Sequence, residues 1–257
     1  MEIIERVSQL NSGMKIPRIG FGTAASPQNI IQMKQAVATA LKVGYKHFDT
    51  ASIYGTEPAL GEALSEAFRN GIAKRDDVFV TSKMYAADHD DPVSALKTSL
   101  KNLQLEYLDL YLIHWPINLR KGVSHPSPKE EDFLPLDIES IWRGMEQCVE
   151  LGLTKSIGVS NFSSKKIGDL LSYAKISPAV SQVLLRWGLE QGVSVLPKSY
   201  NSCRITENYQ VFEWSLTEED HEKISKLPQK KIVRREGLIN STTSPYKTIQ
   251  DLWDGEI

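Results

Sequence analysis

Short runs of β-branched, aromatic and aliphatic residues alternate along this chain with longer stretches whose apolar residues return at helical spacing. The runs predict strands over Ile16–Gly22, Tyr45–Thr50, Val78–Lys83, Leu108–Trp115, Lys155–Ser160 and Val193–Lys198. The stretches between them predict helices over Ile30–Leu41, Glu57–Arg69, Pro92–Leu103, Ile138–Leu151, Lys165–Ala174 and Gln182–Glu190. Gly44, Gly71, Gly152 and Gly192 stand where these helices end, and glycine takes the left-handed terminal conformation without a Cβ penalty. Strand–helix–strand alternation of this kind builds a parallel sheet, either open or closed into a barrel. Before it, Asn11-Ser12-Gly13 lies between Val7–Leu10 and Met14–Ile16 and predicts a β-hairpin. Near the end, Thr217 with Asp220 three residues on is a helix-start signal, followed by an irregular tail from Val233 to Ile257.

The spacing is uneven. The chain offers six firm parallel strands, and a closed (β/α)8 barrel needs eight. Between Pro178 and Val193 the helix pattern Ser181–Gly192 fills almost all the room, leaving at most a strand stub at Pro178-Ala179-Val180. A parallel crossover needs a dozen or more residues of its own. The expected fold is therefore a single TIM-type barrel domain over residues 1–257, internally shortened near residues 180–181 and lacking about two βα units.

Composition adds limits. The chain has 257 residues, enough for one large core, with a formal net charge of −2. There is no basic excess of the kind that binds nucleic acid or an anionic membrane, and no apolar run approaches the ~20 residues of a membrane span. The start Met1-Glu2-Ile3-Ile4-Glu5-Arg6 lacks the basic opening and long apolar stretch of a signal peptide, so the expected location is the cytoplasm. Cys148 and Cys203 then read as reduced, small buried hydrophobes. Asn118–Pro135, rich in Pro, Ser, Lys and Glu, reads as a long surface loop.

Candidate chemistry gathers at strand ends, where parallel barrels keep their active sites. Asp49 closes the second strand, Tyr54 follows it, Lys83 closes the third and His114 the fourth. Strand alternation puts His114 on the face of Leu108, Leu110 and Leu112, and Lys83 on that of Phe79 and Thr81. Taken singly, these residues read as a turn cap, a packing ring, a solvated amine and a core histidine. Together they make a proton device. A phenol with an ordinary pKa near 10 is a poor donor at neutral pH, and an adjacent ammonium lowers that pKa. Lys83 would supply the charge, Asp49 would hold Lys83, His114 would orient a carbonyl, and Tyr54 would be the general acid.

Gly44–Ala51, Leu108–Pro116, Ile157-Gly158-Val159-Ser160-Asn161-Phe162 and Leu196-Pro197-Lys198-Ser199 resemble the aldo-keto reductase family, in the family's order and over nearly the whole chain. The tail Ser244–Asp254 resembles the plant ketone reductases of specialised metabolism, the codeinone- and chalcone-reductase group. The resemblance implies an NADPH-dependent enzyme that reduces an aldehyde or ketone to an alcohol, with Asp49, Tyr54, Lys83 and His114 as catalytic tetrad. It assigns Ser160 and Asn161, with Asp49, to the nicotinamide end of the cofactor and Gly22, Thr23 and Ala24 to a wall facing it. Lys198, Ser199 and Arg204 match the 2′-phosphate site, Glu207 and Asn208 the surroundings of the adenine, and Trp115 the substrate side. A cation pair suits a phosphate ester, Arg offering a fork of donors. Implied partners are a small carbonyl substrate and, for the protein itself, the monomeric state, with association through unpaired barrel edges if the barrel is short.

The chain departs from the family after Val180, where the family continues through two more strands that bear a nicotinamide-stacking aromatic and a pyrophosphate-clamping loop. No residue here matches either, and Gln182, although its surroundings resemble the sixth strand, is followed by helical sequence. A catalytically inactive shortened form, or a remnant that binds cofactor or a partner, is therefore the competing reading. Other signals lead elsewhere or nowhere. Gly20-Phe21-Gly22-Thr23-Ala24-Ala25 has the dinucleotide-fingerprint form but no acidic residue about 20 positions on. No carboxylate pair or metal-ligand set supports a barrel hydrolase, and His89, in Asp88-His89-Asp90-Asp91, reads as part of a solvated loop.

Overall fold

Strand β1 (Val7–Gln9) pairs antiparallel with β2 (Lys15–Pro17), Ser8 opposite Ile16, around a turn in which Gly13 takes φ +82°. The computed structural model describes residues 6–123, 128–178, 189–191, 194–213, 215–226, 235–239 and 242–256. This hairpin carries Leu10, Met14 and Ile16 against Phe79, Leu110 and Leu112, and so plugs the inner face of the sheet that follows.

That sheet is parallel throughout. Strands β3 (Phe21–Gly22), β4 (His47–Asp49), β5 (Phe79–Met84), β6 (Leu110–Ile113) and β9 (Ile157–Val159) lie in that order, each hydrogen-bonded to the next. The run Ile16–Gly22, expected as one strand, is divided. Its first part belongs to the hairpin and its last to the sheet. Pro17 has no N–H to give a ladder. Gly20 marks a close approach: a Cβ there would lie 2.3 Å from Leu196 Cδ2 and 2.6 Å from His47 Nδ1.

The last expected strand returns to the first. Ile19 bridges Val195 in parallel, and the Gly20 and Gly22 amides donate to the carbonyls of Val195 and Pro197 at 2.8 and 3.0 Å. Pairing the end of a chain with its beginning is how a parallel barrel closes. Among the described residues no pairing joins this segment to β9 at the opposite side. Ala179 and Val180 of the expected strand stub Pro178-Ala179-Val180, the junction at residues 180–181 and most of the helix Gln182–Glu190 lie outside the described residues.

The described helices are α1 (Ile30–Val43), α2 (Glu57–Arg69), α3 (Pro92–Leu103), α4 (Ile138–Glu150), α5 (Ser164–Leu171), α6 (Ser202–Tyr209), α7 (Glu218–Ser225) and α8 (Ile249–Trp253), of which α1 to α4 cover the outer face of the sheet. α1 to α4 pack in sequence, each on the next, and α6 packs back on α1. Their apolar stripes, Leu60, Leu64, Leu96, Leu103 and Trp142 among them, bury against the outward residues Phe48, Val80, Tyr111 and Ile113. Each such side chain contributes roughly 1.5 to 3 kcal/mol by leaving water. The Asp91, Asp137, Ser163 and Asn201 side chains accept from backbone amides in the first turns of α3, α4, α5 and α6.

The stretch expected as a long surface loop has order of its own. β7 (Asn118–Leu119) and β8 (Phe133–Leu134) pair antiparallel. Ile117, Leu119 and Phe133 are apolar residues in a polar stretch. They bury with Tyr246, Leu252 and Trp253, so the tail expected to be irregular docks here through α8. Two further expectations are corrected. Cys148 is buried but Cys203, on the outer side of α6, is exposed. His89 is not solvated: it is 4% exposed below the turn Ala86–Asp88, and burial pulls its pKa down to about 4.

Candidate active site

Asp49 ends β4, and its carboxylate faces the ammonium of Lys83 near the end of β5, Nζ to Oδ1 2.5 Å. The same Nζ donates to the Thr50 carbonyl at 2.9 Å, so two neighbouring parallel strands are tied at one end. Both side chains are nearly closed off from solvent. Such a pair holds Lys83 in one place because burial leaves its charge few other partners.

Tyr54 closes the short turn Ser52–Tyr54, where Gly55 takes φ +64° and sends the chain on into α2. The Ser52 hydroxyl donates to the Lys83 carbonyl at 3.2 Å and ties that turn to β5. The phenol of Tyr54 lies 3.4 Å from Nε2 of His114, and Lys83 Nζ lies 5.4 Å from the Tyr54 ring centre. His114 directly follows β6 and donates its backbone amide to Met84. Asp49, Tyr54, Lys83 and His114, expected from successive strand ends, do meet at one end of the sheet.

The next strand completes the arc. Ser160 follows β9, and Asn161 takes φ +61°, a left-handed conformation that Asn tolerates better than most residues. Its side-chain amide donates to the His114 carbonyl at 2.8 Å and to Ser160 Oγ at 2.9 Å. Asn161 therefore fixes the backbone that carries His114.

These side chains line a cavity of about 350 Å³ together with Gly22, Thr23, Ala24, Trp115, Leu196, Lys198 and Arg235. Gly22 lets the segment 196–198 come close: a Cβ there would meet Leu196 O at 3.4 Å and Lys198 Cβ at 3.6 Å. Ser199, Arg204, Glu207 and Asn208 do not line the cavity. Ser199 accepts from the Asn201 amide, Arg204 sits exposed in the first turn of α6, Glu207 is exposed further along it and Asn208 is half-buried. Two wall residues were missed by sequence reasoning. Leu196 lies inside a quoted motif but has no chemistry to flag it. Arg235 comes from the tail, and its one signal is the basic run Lys230-Lys231-Ile232-Val233-Arg234-Arg235.

The electrostatics revise one expectation. Lys83 pulls the Tyr54 pKa down, but burial outweighs it and the phenol ends above its ordinary value of 10.0. The Asp49 charge, paired with Lys83, adds a smaller push in the same direction as burial. Burial likewise pushes the Asp49 carboxyl up against the opposing pull of Lys83. Tyr54 is therefore a protonated phenol across the neutral range. A second cavity of about 280 Å³ adjoins the first, lined by Tyr85, Ile117, Leu119 and Leu238 and sharing Trp115 and Arg235 with it. No group of His, Cys, Asp and Glu among the described residues is arranged to hold a metal ion. No helix among them is long and apolar enough to cross a membrane.

Comparison with known proteins gives concordant results. Residues 18–184 match the model of the Aldo/keto reductase family. The chain is 40% identical to the 7-acetyl-epi-neemfruitin B aldo-keto reductase of Melia azedarach over 317 positions, covering 99% of this chain and 98% of that protein. It is 39% identical to deoxymugineic acid synthase 1-A of Triticum aestivum over 305 positions, covering 94% and 97%. It is 38% identical to aldo-keto reductase family 4 member C11 of Arabidopsis thaliana over 311 positions, covering 97% and 98%. Each alignment is longer than the 257-residue chain, so each relative holds residues that have no counterpart here.

Proposed function

This chain belongs to the aldo/keto reductase family of oxidoreductases, and from that premise we propose that it reduces an aldehyde or ketone with NADPH, Tyr54 supplying the proton. The observation that carries the reading is the Tyr54 phenol 3.4 Å from His114 Nε2, beside the buried Lys83–Asp49 pair. A carbonyl oxygen seated between the phenol and the imidazole is oriented by both. The raised pKa of Tyr54 keeps its proton available at neutral pH. As that proton leaves, the nascent phenolate gains the Lys83 charge, an interaction stronger in the transition state than in the ground state. Asp49 positions Lys83, and Asn161 positions His114.

The residues present suit a nicotinamide cofactor, which the family generally uses. Ser160 and Asn161 offer hydroxyl and amide groups at the cavity wall, and Gly22, Thr23 and Ala24 line it too. Hydride delivered to the carbonyl carbon is the chemistry such a cofactor supplies when bound. Lys198, Ser199 and Arg204 would hold its 2′-phosphate, where the Asn201-capped start of α6 adds the positive end of a helix. Glu207 and Asn208 would flank the adenine. We place this chemistry in the cytoplasm, on a monomer acting on a small carbonyl compound.

A second reading rests on the length of the alignments. We infer that the relatives' additional residues correspond to about two βα units at the 180–181 junction, and the family match ends close by, at residue 184. A nicotinamide-stacking aromatic and a pyrophosphate clamp would be lost with them. The chain would then bind NADPH weakly and turn over slowly, or serve as a non-catalytic remnant that associates through open sheet edges. Purified protein of this length separates the readings. Oligomeric state, thermal unfolding with and without NADPH, and NADPH consumption with small aldehydes and ketones would be recorded. Turnover near the ~10 s⁻¹ median of enzymes by a cooperatively unfolding monomer supports the working reductase. Folding without turnover supports the remnant.

A further inference from the structure

Arg235 stands where the two cavities meet. On one side are Tyr54 and His114, on the other the apolar wall of Tyr85, Ile117, Leu119 and Leu238. A molecule with its carbonyl at Tyr54 and its body in the apolar hollow has to pass Arg235 and Trp115. The guanidinium carbon lies 5.1 Å from the Trp115 ring centre, so the indole supports the fork from one face, a contact that does not engage its edge donors. Among the described residues no Asp or Glu forms an ion pair with Arg235. Its backbone is left-handed, φ 58° and ψ 45°, a conformation unfavourable for a residue with a Cβ and typical of positions held for a purpose. Its charge also reaches Tyr54, where it acts against the rise caused by burial.

We propose that Arg235, backed by Trp115, is a specificity residue that selects carbonyl substrates carrying a carboxylate over neutral ones of the same shape. This rests on the reductase reading of the cavity. The chemistry follows from the fork: two parallel N–H donors match the two oxygens of a carboxylate, which a neutral ester or amide does not reproduce. Of the other cations of the cavity wall, Lys83 is paired with Asp49, and Lys198 lies beside Gly22 in the 196–198 segment, on the side assigned to the cofactor.

The test uses the full chain and two probes of matched shape, 4-carboxybenzaldehyde and the neutral methyl 4-formylbenzoate. Binding is read from tryptophan emission, to which Trp115 reports directly, and turnover is read separately from NADPH consumption. Arg235 is exposed, and wild type should bind the carboxylate probe about tenfold more tightly than the ester, the lower range for a charge-assisted hydrogen-bonded pair. Arg235→Gln should abolish that preference with the ester nearly unchanged, and Arg235→Lys should restore part of it. Equal weakening of both probes, or a preference that survives in Arg235→Gln, overturns the proposal. So does an Arg235→Gln loss seen with inorganic pyrophosphate and not with the carboxylate probe, because Arg235 would then serve the cofactor. Selective binding without turnover of either probe strikes the reductase reading and leaves the carboxylate corner standing. No binding of either probe counts against the corner itself.

Discussion

From Phe21 to Asn161 each strand of the main sheet is hydrogen-bonded to the next in chain order, with a helix laid outside between them. From Phe162 onward the described chain forms helices and turns, and its parallel pairing reaches back to Ile19 near the start. The helices differ accordingly. α2 buries Leu60, Leu64 and four or more neighbours along its length, whereas in α6 Ile205 alone is buried. The functions proposed for the two regions differ too. Proton transfer uses the first, and the cofactor's phosphate end uses the second. On the proposed reading, the chemistry rests on a well-packed arc and cofactor binding on a less deeply packed one.

The largest effect should come from the first region. Tyr54→Phe keeps the ring and removes the proton, and carbonyl reduction should fall by roughly 10²- to 10⁴-fold with NADPH binding little changed. A loss of binding equal to the loss of rate would move Tyr54 out of the chemical step. The pH profile sharpens this. Because Tyr54 is raised above 10.0, activity should show no alkaline limb due to this group below that value. A limb in the neutral range would mean that Lys83 outweighs burial once substrate is bound.

Packing provides the next contrast. Leu64→Ala opens a cavity at a side chain 0% exposed and should destabilise by about 2 to 5 kcal/mol in urea unfolding. Ile224→Ala, on α7 and only half-buried, should cost less than about 1 kcal/mol. Similar values for both would show that the second region is as tightly built as the first.

A smaller effect is expected at the phosphate site. Arg204→Ala should weaken NADPH by roughly tenfold, the worth of one charge-assisted contact, and leave NADH nearly unaffected. Equal losses, measured by tryptophan quenching, would remove the 2′-phosphate assignment and with it the functional division between the regions.

The last effect is read as a slope and is spread over acid pH. Burial holds His47 at about 3 and His89 at about 4, both below the ordinary 6.5. Below 6.5 the unfolded chain takes up protons that the native state refuses, so stability is full above that pH and falls as pH drops toward 4. Each histidine contributes up to ~1.4 kcal/mol per pH unit in that window. His47→Gln, which can keep the hydrogen bond to Thr81 Oγ1, should flatten the acid slope by about its share. An unchanged slope would place the titration elsewhere.

Local pattern determined much of this protein. Periodicity located the strands of the main sheet and the first four helices, and the left-handed glycines Gly44, Gly71 and Gly152 marked where three of them end, because these are properties of neighbours in the chain. Strand alternation also put Lys83 and His114 on one inward face, which is why Asp49, Tyr54, Lys83 and His114 could be named before any coordinates. The tertiary structure decided what depends on segments far apart. It split Ile16–Gly22 where Gly20 meets Leu196 and His47, buried His89, drew Leu119 and Phe133 of the polar Asn118–Pro135 stretch into a second core with the tail, and carried Arg235 to the cavity wall. It also reversed the balance at Tyr54. Charge proximity could be inferred from adjacent strands, but the desolvation that outweighs it comes from every element packed around the phenol at once.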